Sequence, residues 1–156
     1  MSQNGRLYEV ILDEATLPRL ATDQDHERAV AIFDLVEDNA FAVKGRDDGP
    51  YSLTIAQLEA KLNFVVRTQA GDLAAEFAVS MTPFRPLLKD YFLVCETYYS
   101  AIRTASPREI EAIDRERTAL HNEGAALLAT RFAERVEIDS GTARRLFALI
   151  SALHWK

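Results

Sequence analysis

The chain has 156 residues, 48% of them hydrophobic and 27% charged, which is the composition of one ordinary globular domain long enough to bury a core unaided. A formal net charge of -6 repels a phosphate backbone, so nucleic acid is not expected as a partner, and the single cysteine, Cys95, excludes an intramolecular disulfide and any multi-cysteine zinc or iron–sulfur framework. The opening MSQNGRLYEV lacks the basic-then-apolar order of a signal peptide and no apolar run approaches the roughly 20 residues that span a bilayer, so a cytoplasmic location with no membrane partner is expected.

In chain order, Arg6 to Leu12 is a short apolar run of strand length, and Pro18 breaks it. From Asp23 to Asp38 the positions Ala29, Val30, Phe33 and Val36 follow helical spacing, with Thr22 or Asp23 available as cap. On that helix His26 leads the apolar stripe, while Glu27 and Arg28 turn toward solvent. Phe41 to Val43 reads as a brief strand, and GRDDGP after it as a turn. Alternation then predicts an antiparallel meander from Tyr51 to Ser80, through Leu53 and Ile55, then Leu62, Phe64 and Val66, then Leu73 to Val79 beyond the turn QAGD. Thr54 to Gln57 is also compatible with the cap of a short helix.

At Thr82 the period changes from two to about 3.6. Phe84, Leu87, Leu88, Tyr91, Cys95, Tyr98 and Ile102 share one broad face of a helix that reaches about Thr104. SPRE, Ser106 to Glu109, combines an N-cap serine, a proline at the first position and a glutamate closing a capping box, so a new helix starts there. Its apolar side runs through Ile110, Ile113, Leu120, Leu127, Leu128 and Phe132 to about Arg135. Asp139 or Ser140 caps a last helix with Ala143, Leu146, Phe147, Ile150 and Leu153 inside. Trp155, beside the terminus, is expected to pack down or to meet a partner. Strands first and helices last predict a single α+β domain over residues 1–156, in which an antiparallel sheet of the first strand and the meander packs against the N-terminal helix and three C-terminal helices.

LHNEG, Leu120 to Gly124, is the first candidate site. Arg117, His121, Gly124 and Leu128 fall on one helix face. Gly124 costs about 1 kcal/mol relative to alanine inside a helix, so another backbone or a ligand is expected to approach closely there. One reading makes His121 a general base beside that opening, with Asn122, Glu123, Arg117 and His26 as companions. The other, which the residue types favour, makes it a histidine at a helix crossing. A metal centre would need His26 and His121 to meet with Asp25 or Glu123 as a third ligand. No HExxH spacing or paired helical carboxylates support that, so neither a metal nor a cofactor is expected. Arg85 and Lys89, four apart near a helix N-terminus, could hold a phosphate or carboxylate, against the plainer reading of a solvated charged face. Cys95, on an apolar face beside Glu96, is expected to be structural, since burial and a nearby acid both disfavour its thiolate. The arginines at 103, 108, 115, 117, 144 and 145 are flanked by acids and read as solvated faces. The phosphate-binding and nucleophile-elbow motifs G-x-x-x-x-G-K, G-x-G-x-x-G and G-x-S-x-G are absent.

Five stretches, HERAVAIFDLVEDN (His26 to Asn39), MTPFRPLLKDYF (Met81 to Phe92), CETYYSAIRTA (Cys95 to Ala105), EAIDRERTALHNEG (Glu111 to Gly124) and DSGTARRLFALISALHW (Asp139 to Trp155), make the sequence similar to a small uncharacterised protein family of alphaproteobacteria. That resemblance implies no assigned activity and carries no catalytic residues with it. The expected function is non-catalytic: an interaction or regulatory module, in contact with a protein partner or self-associating as a homodimer through the long helix and the aromatic tail. The alternative is a small-ligand binder or enzyme centred on His121, with Arg85 and Lys89 as anion anchors.

Overall fold

The computed structural model describes residues 5–17 and 22–154. In chain order it has β1 (Leu7–Leu12), α1 (Thr22–Glu37), β2 (Phe41–Val43), β3 (Tyr51–Leu58), β4 (Lys61–Thr68), β5 (Leu73–Ser80), a 3-10 turn (Thr82–Phe84), α2 (Arg85–Thr104), α3 (Pro107–Phe132), β6 (Val136–Ile138) and α4 (Ser140–His154). This is the expected α+β class. The side chains of Thr22 and Asp23, and all of Pro18 and Trp155, lie outside the described residues.

The larger sheet has the order β1-β3-β4-β5. The meander is antiparallel as its alternation predicts, with Ile55 opposite Phe64 and Phe64 opposite Phe77. Thr54 to Gln57 is strand. β1 is parallel to β3, pairing Val10 with Leu53 and Leu12 with Ile55, which corrects the expectation that it would continue an antiparallel sheet. The reason is the connection: α1 lies between the two strands, and a crossover of that length returns the chain to the starting end of the sheet, as a tight hairpin cannot. A separate two-stranded ribbon pairs β2 with β6 antiparallel, Phe41 opposite Ile138 and Val43 opposite Val136. α3 ends at Phe132, about a turn short of the expected Arg135; residues 133–135 form a turn instead, and strand β6 follows it.

One face of the meander is dry. Leu53, Ile55, Leu62, Phe64 and Val66 are fully buried, together with Leu128, Phe132, Leu146, Phe147 and Ile150 of the last two helices. The intervening positions Asn63, Val65, Glu76 and Ala78 are half-buried or exposed, as in a sheet covered by helices on one side. Phe132 carries α3 into this layer, with ring centroids 4.9 Å from Phe64 and 5.1 Å from Phe77 in edge-on geometry.

α1 packs on α4, but with a different face from the one its apolar spacing suggested. Val30 and Phe33 are 41% and 65% exposed, and the inner face is Arg28, Leu35 and Asn39 with Ala31, Ile32 and Val36 partly covered. Arg28 is buried, which corrects its expected place in solvent; its Nη2 donates to the Leu153 carbonyl at 3.5 Å near the end of α4. Asn39 joins α1 to β1. Its Oδ1 accepts from the Leu7 amide at 2.7 Å, and its Nδ2 donates to the carbonyls of Leu7 and Leu35 at 3.1 and 2.8 Å. A single amide thus satisfies an edge-strand peptide and one of the last carbonyls of the helix.

The N-caps of α3 and α4 fall where the sequence places them. Ser106 Oγ accepts from the Glu109 amide at 3.3 Å, and Asp139 Oδ1 accepts from the Thr142 amide at 2.7 Å, so Asp139 is the cap of α4. The short link through Ala105 and Ser106 folds α2 and α3 into an antiparallel hairpin. At 26 residues α3 is about 39 Å long, and its fully buried residues, Gly124, Ala125, Leu128 and Phe132, all lie in its second half. The first half packs along α2 and projects beyond the core.

Candidate functional site

The residues of LHNEG separate by face. His121 is half-buried and Gly124 buried, whereas Asn122 and Glu123 are exposed, because neighbouring residues on a helix point about 100° apart. His121, Asn122 and Glu123 therefore do not converge. His121 enters a seam where α2, α3 and α4 meet. Its ring lies 5.1 Å from that of Phe147 on α4, nearly perpendicular, and 5.6 Å from that of Tyr91 on α2; Tyr91 and Phe147 are themselves 6.1 Å apart. Gly124 completes the seam, since a Cβ built there would fall on three atoms of the Phe147 ring, well inside van der Waals contact. The opening that the glycine leaves is filled by that ring.

Charge around the seam is positive. Burial, then the guanidiniums of Arg144 and Arg117, hold the His121 imidazole below its ordinary titration range, so it is neutral at pH 7. Arg117 itself is directed elsewhere: its Nε and Nη2 both donate to Asp114 Oδ1, and its guanidinium lies 4.2 Å above the Tyr98 ring. Burial pushes the Cys95 thiol up, against the lowering from Tyr91 and Arg117, as expected of a structural cysteine. The seam thus offers a neutral imidazole packed among aromatic rings. No described carboxylate hydrogen-bonds to it in the way a general base or metal ligand is commonly oriented.

The remaining candidates lie apart from this seam. His26 is exposed near the start of α1, and α4 is the helix on which both α1 and α3 pack. Among the described residues no group of three or more histidine, cysteine or acidic side chains could hold a metal ion. Glu123 instead borders a surface groove of about 380 Å³ with Leu120 and Leu127 of α3 and Leu87 and Asp90 of α2. Arg85 and Lys89 are both exposed on the first turns of α2. Several of the amides that would assist them toward an anion are not available: Phe84 and Arg85 both donate to the Met81 carbonyl, at 2.9 and 3.1 Å, and Pro83 and Pro86 carry no N–H. An anion there would meet side-chain cations with fewer helix-terminal amides than an ordinary helix start provides.

Sequence reasoning passed over His154, whose side chain is half-buried at the end of α4. Its Nδ1 lies 2.9 Å from the Ile150 carbonyl, so that nitrogen carries the proton and donates it. Burial foremost, then Arg28 and Arg85, hold its pKa down, while the bond to Ile150 works in the opposite direction. Both half-buried histidines consequently bind protons less readily in the fold than in the unfolded chain, whose value is near 6.5. The stability this provides is complete above that value and is lost as pH falls below it. The urea midpoint is expected to drop between pH 7.5 and pH 5.5, a window above the titration of carboxylates, and replacing His121 and His154 together with glutamine should flatten that drop. Equal slopes in the two proteins would mean that other groups set the acid response.

Compared with known proteins, the model of the uncharacterised protein family UPF0262 matches residues 4–156. A UPF0262 protein of Methylobacterium radiotolerans is 52% identical over 152 residues, covering 97% of this chain and 94% of the relative. One from Xanthobacter autotrophicus is 51% identical over 154 residues, covering 98% and 94%, and one from Rhizobium etli 50% over 151 residues, covering 97% and 96%. No solved structure matches the chain.

Proposed function

We propose that this chain, which belongs to the uncharacterised protein family UPF0262, acts by contact instead of catalysis: a cytoplasmic interaction or regulatory module that binds a protein partner or a second copy of itself. The observation that carries this reading is the projecting α2–α3 hairpin, on which Leu93, Tyr99 and Ile102 are 53%, 59% and 51% exposed. They are spread around the helix, Leu93 and Ile102 being nine residues and so about half a rotation apart, and large apolar side chains left exposed on one projecting element mark a contact surface more often than a solvated one. Two further observations favour contact over chemistry. The imidazole of His121 is packed between rings, and the space beside Gly124 is taken by Phe147. Among the described residues no helix is long and apolar enough to cross a membrane, and the net charge of -6 favours protein over nucleic acid as the partner.

The test is photo-crosslinking in the bacterium from a reactive amino acid placed at position 99. A discrete protein adduct that disappears when Leu93 and Ile102 are both changed to serine is the expected result. The opposite result is no adduct from this surface, together with a small molecule that remains on the purified protein in native mass spectrometry and is lost in His121→Ala. That would move the function to the helical seam.

A further inference from the structure

We infer that the partner is a second copy of this chain, docked antiparallel along the outer face of α2; this rests on the contact reading above and adds the identity and register of the occupant. Lys89, Leu93, Glu96, Ser100 and Arg103 recur at spacings of three and four on the side of α2 turned away from α3, and all are exposed. Tyr99 flanks the same stripe. Lys89 and Glu96 are two turns apart, about 10.5 Å along the axis, too far to pair with one another. Neither forms an ion pair among the described residues. Opposite charges seven residues apart, with an exposed leucine midway between them, complement the same stripe read in reverse.

A two-fold contact requires that if one residue meets another across the interface, the reverse contact also forms. With Leu93 packed on Leu93 of the second copy, each Lys89 meets the other copy's Glu96, twice per dimer, and each Tyr99 reaches the other copy's Pro86. Residues 85–101 of α2, most of its 20-residue length, then face the same stretch of the other copy. Arg85 and Arg103 of opposite copies come within a turn of each other at the solvated rim, where repulsion between exposed charges is weak. Sliding one copy by one heptad would oppose Lys89 to Arg103 and Glu96 to the other copy's Glu96, like charges in both cases, and sliding it by two would set Leu93 against Ser106, beyond the end of α2, and leave the leucine uncovered. The centred register covers both Leu93 and Tyr99. A single helix seam lies at or below the roughly 1,200 Å² of a standard stable interface, so the association is weak and rapidly exchanging.

The experiment is sedimentation of the full chain over about two decades of concentration, with Lys89→Glu, Glu96→Lys and the double reversal. Wild type is expected to dimerise with rising concentration. Each single reversal, by opposing like charges twice, should weaken the dimer about tenfold or more, and the double reversal should restore it. All the changed side chains are exposed, so circular dichroism should be the same throughout. A wild type that stays monomeric over that range overturns the inference, as do single reversals that leave association unchanged. If an adduct to a different protein still forms from position 99 in cells, the contact reading survives and only the second copy is excluded.

Discussion

Gly124→Ala is expected to destabilise the protein by about 3 kcal/mol, the upper part of the range for overpacking a core. Helix propensity alone predicts the reverse, a gain of about 1 kcal/mol for alanine at an interior position. The sign is decided by the neighbour. A Cβ at position 124 would fall on the Phe147 ring, and that ring has little freedom to withdraw. It is fully buried, with Phe84 stacked at 6.5 Å, Tyr91 at 6.1 Å and His121 at 5.1 Å, measured between ring centroids. Relief would have to come from separation of α3 and α4, which costs contacts along the whole crossing.

Urea unfolding at neutral pH checks this, with Phe147→Leu as the second arm. The smaller side chain alone should cost stability through lost packing, yet in the Gly124→Ala background it should recover part of the loss, giving a coupling clearly different from zero. A neutral or stabilising Gly124→Ala would mean that α3 and α4 do not approach this closely. The room beside His121 would then be available to a ligand after all.

The glycine was legible in the sequence only as a helical position needing close approach. What approaches it lies 23 residues away on another helix, and no local pattern specifies that pairing. The same limit explains the other differences. α2, α3 and α4 were readable because long runs of 3.6 periodicity are bracketed by strong caps at Ser106 and Asp139, and the meander because its alternation continues across three strands. α1 is apolar around more than half of its circumference, so spacing did not identify the inner face, and a guanidinium occupies the buried position at Arg28. β6 is three residues long, too short to show a period, and exists because β2 pairs with it. The parallel direction of β1 depends on where α1 returns the chain. Among the site candidates, the spacing that sets His121 beside the apolar stripe agrees with its place in the seam; its companions Asn122 and Glu123 are separated from it by the rotation of the helix.

Phe132→Ala should carry the largest cost in the protein, about 4 kcal/mol, because truncating a fully buried aromatic removes its transfer energy and leaves a cavity that its neighbours cannot fill. The ring has no exposure and stands edge-on to Phe64 and Phe77, which are themselves stacked 5.4 Å apart on adjacent strands. It is the point where α3 is fixed to the sheet. Ile113, in the projecting half of the same helix, is only half-buried, so its replacement with alanine should cost about 1 kcal/mol, less than a core truncation. Urea unfolding gives both values. Hydrogen exchange gives their location: Phe132→Ala should speed exchange in the second half of α3 and in β4 and β5. Self-association through the outer face of α2 should persist as long as the variant remains folded, because none of the Lys89, Leu93 and Glu96 stripe touches this anchor. A cost at or below that of Ile113→Ala would mean that the helix rests on the sheet without being keyed into it. The projecting hairpin would then have no rigid base from which to present its surface.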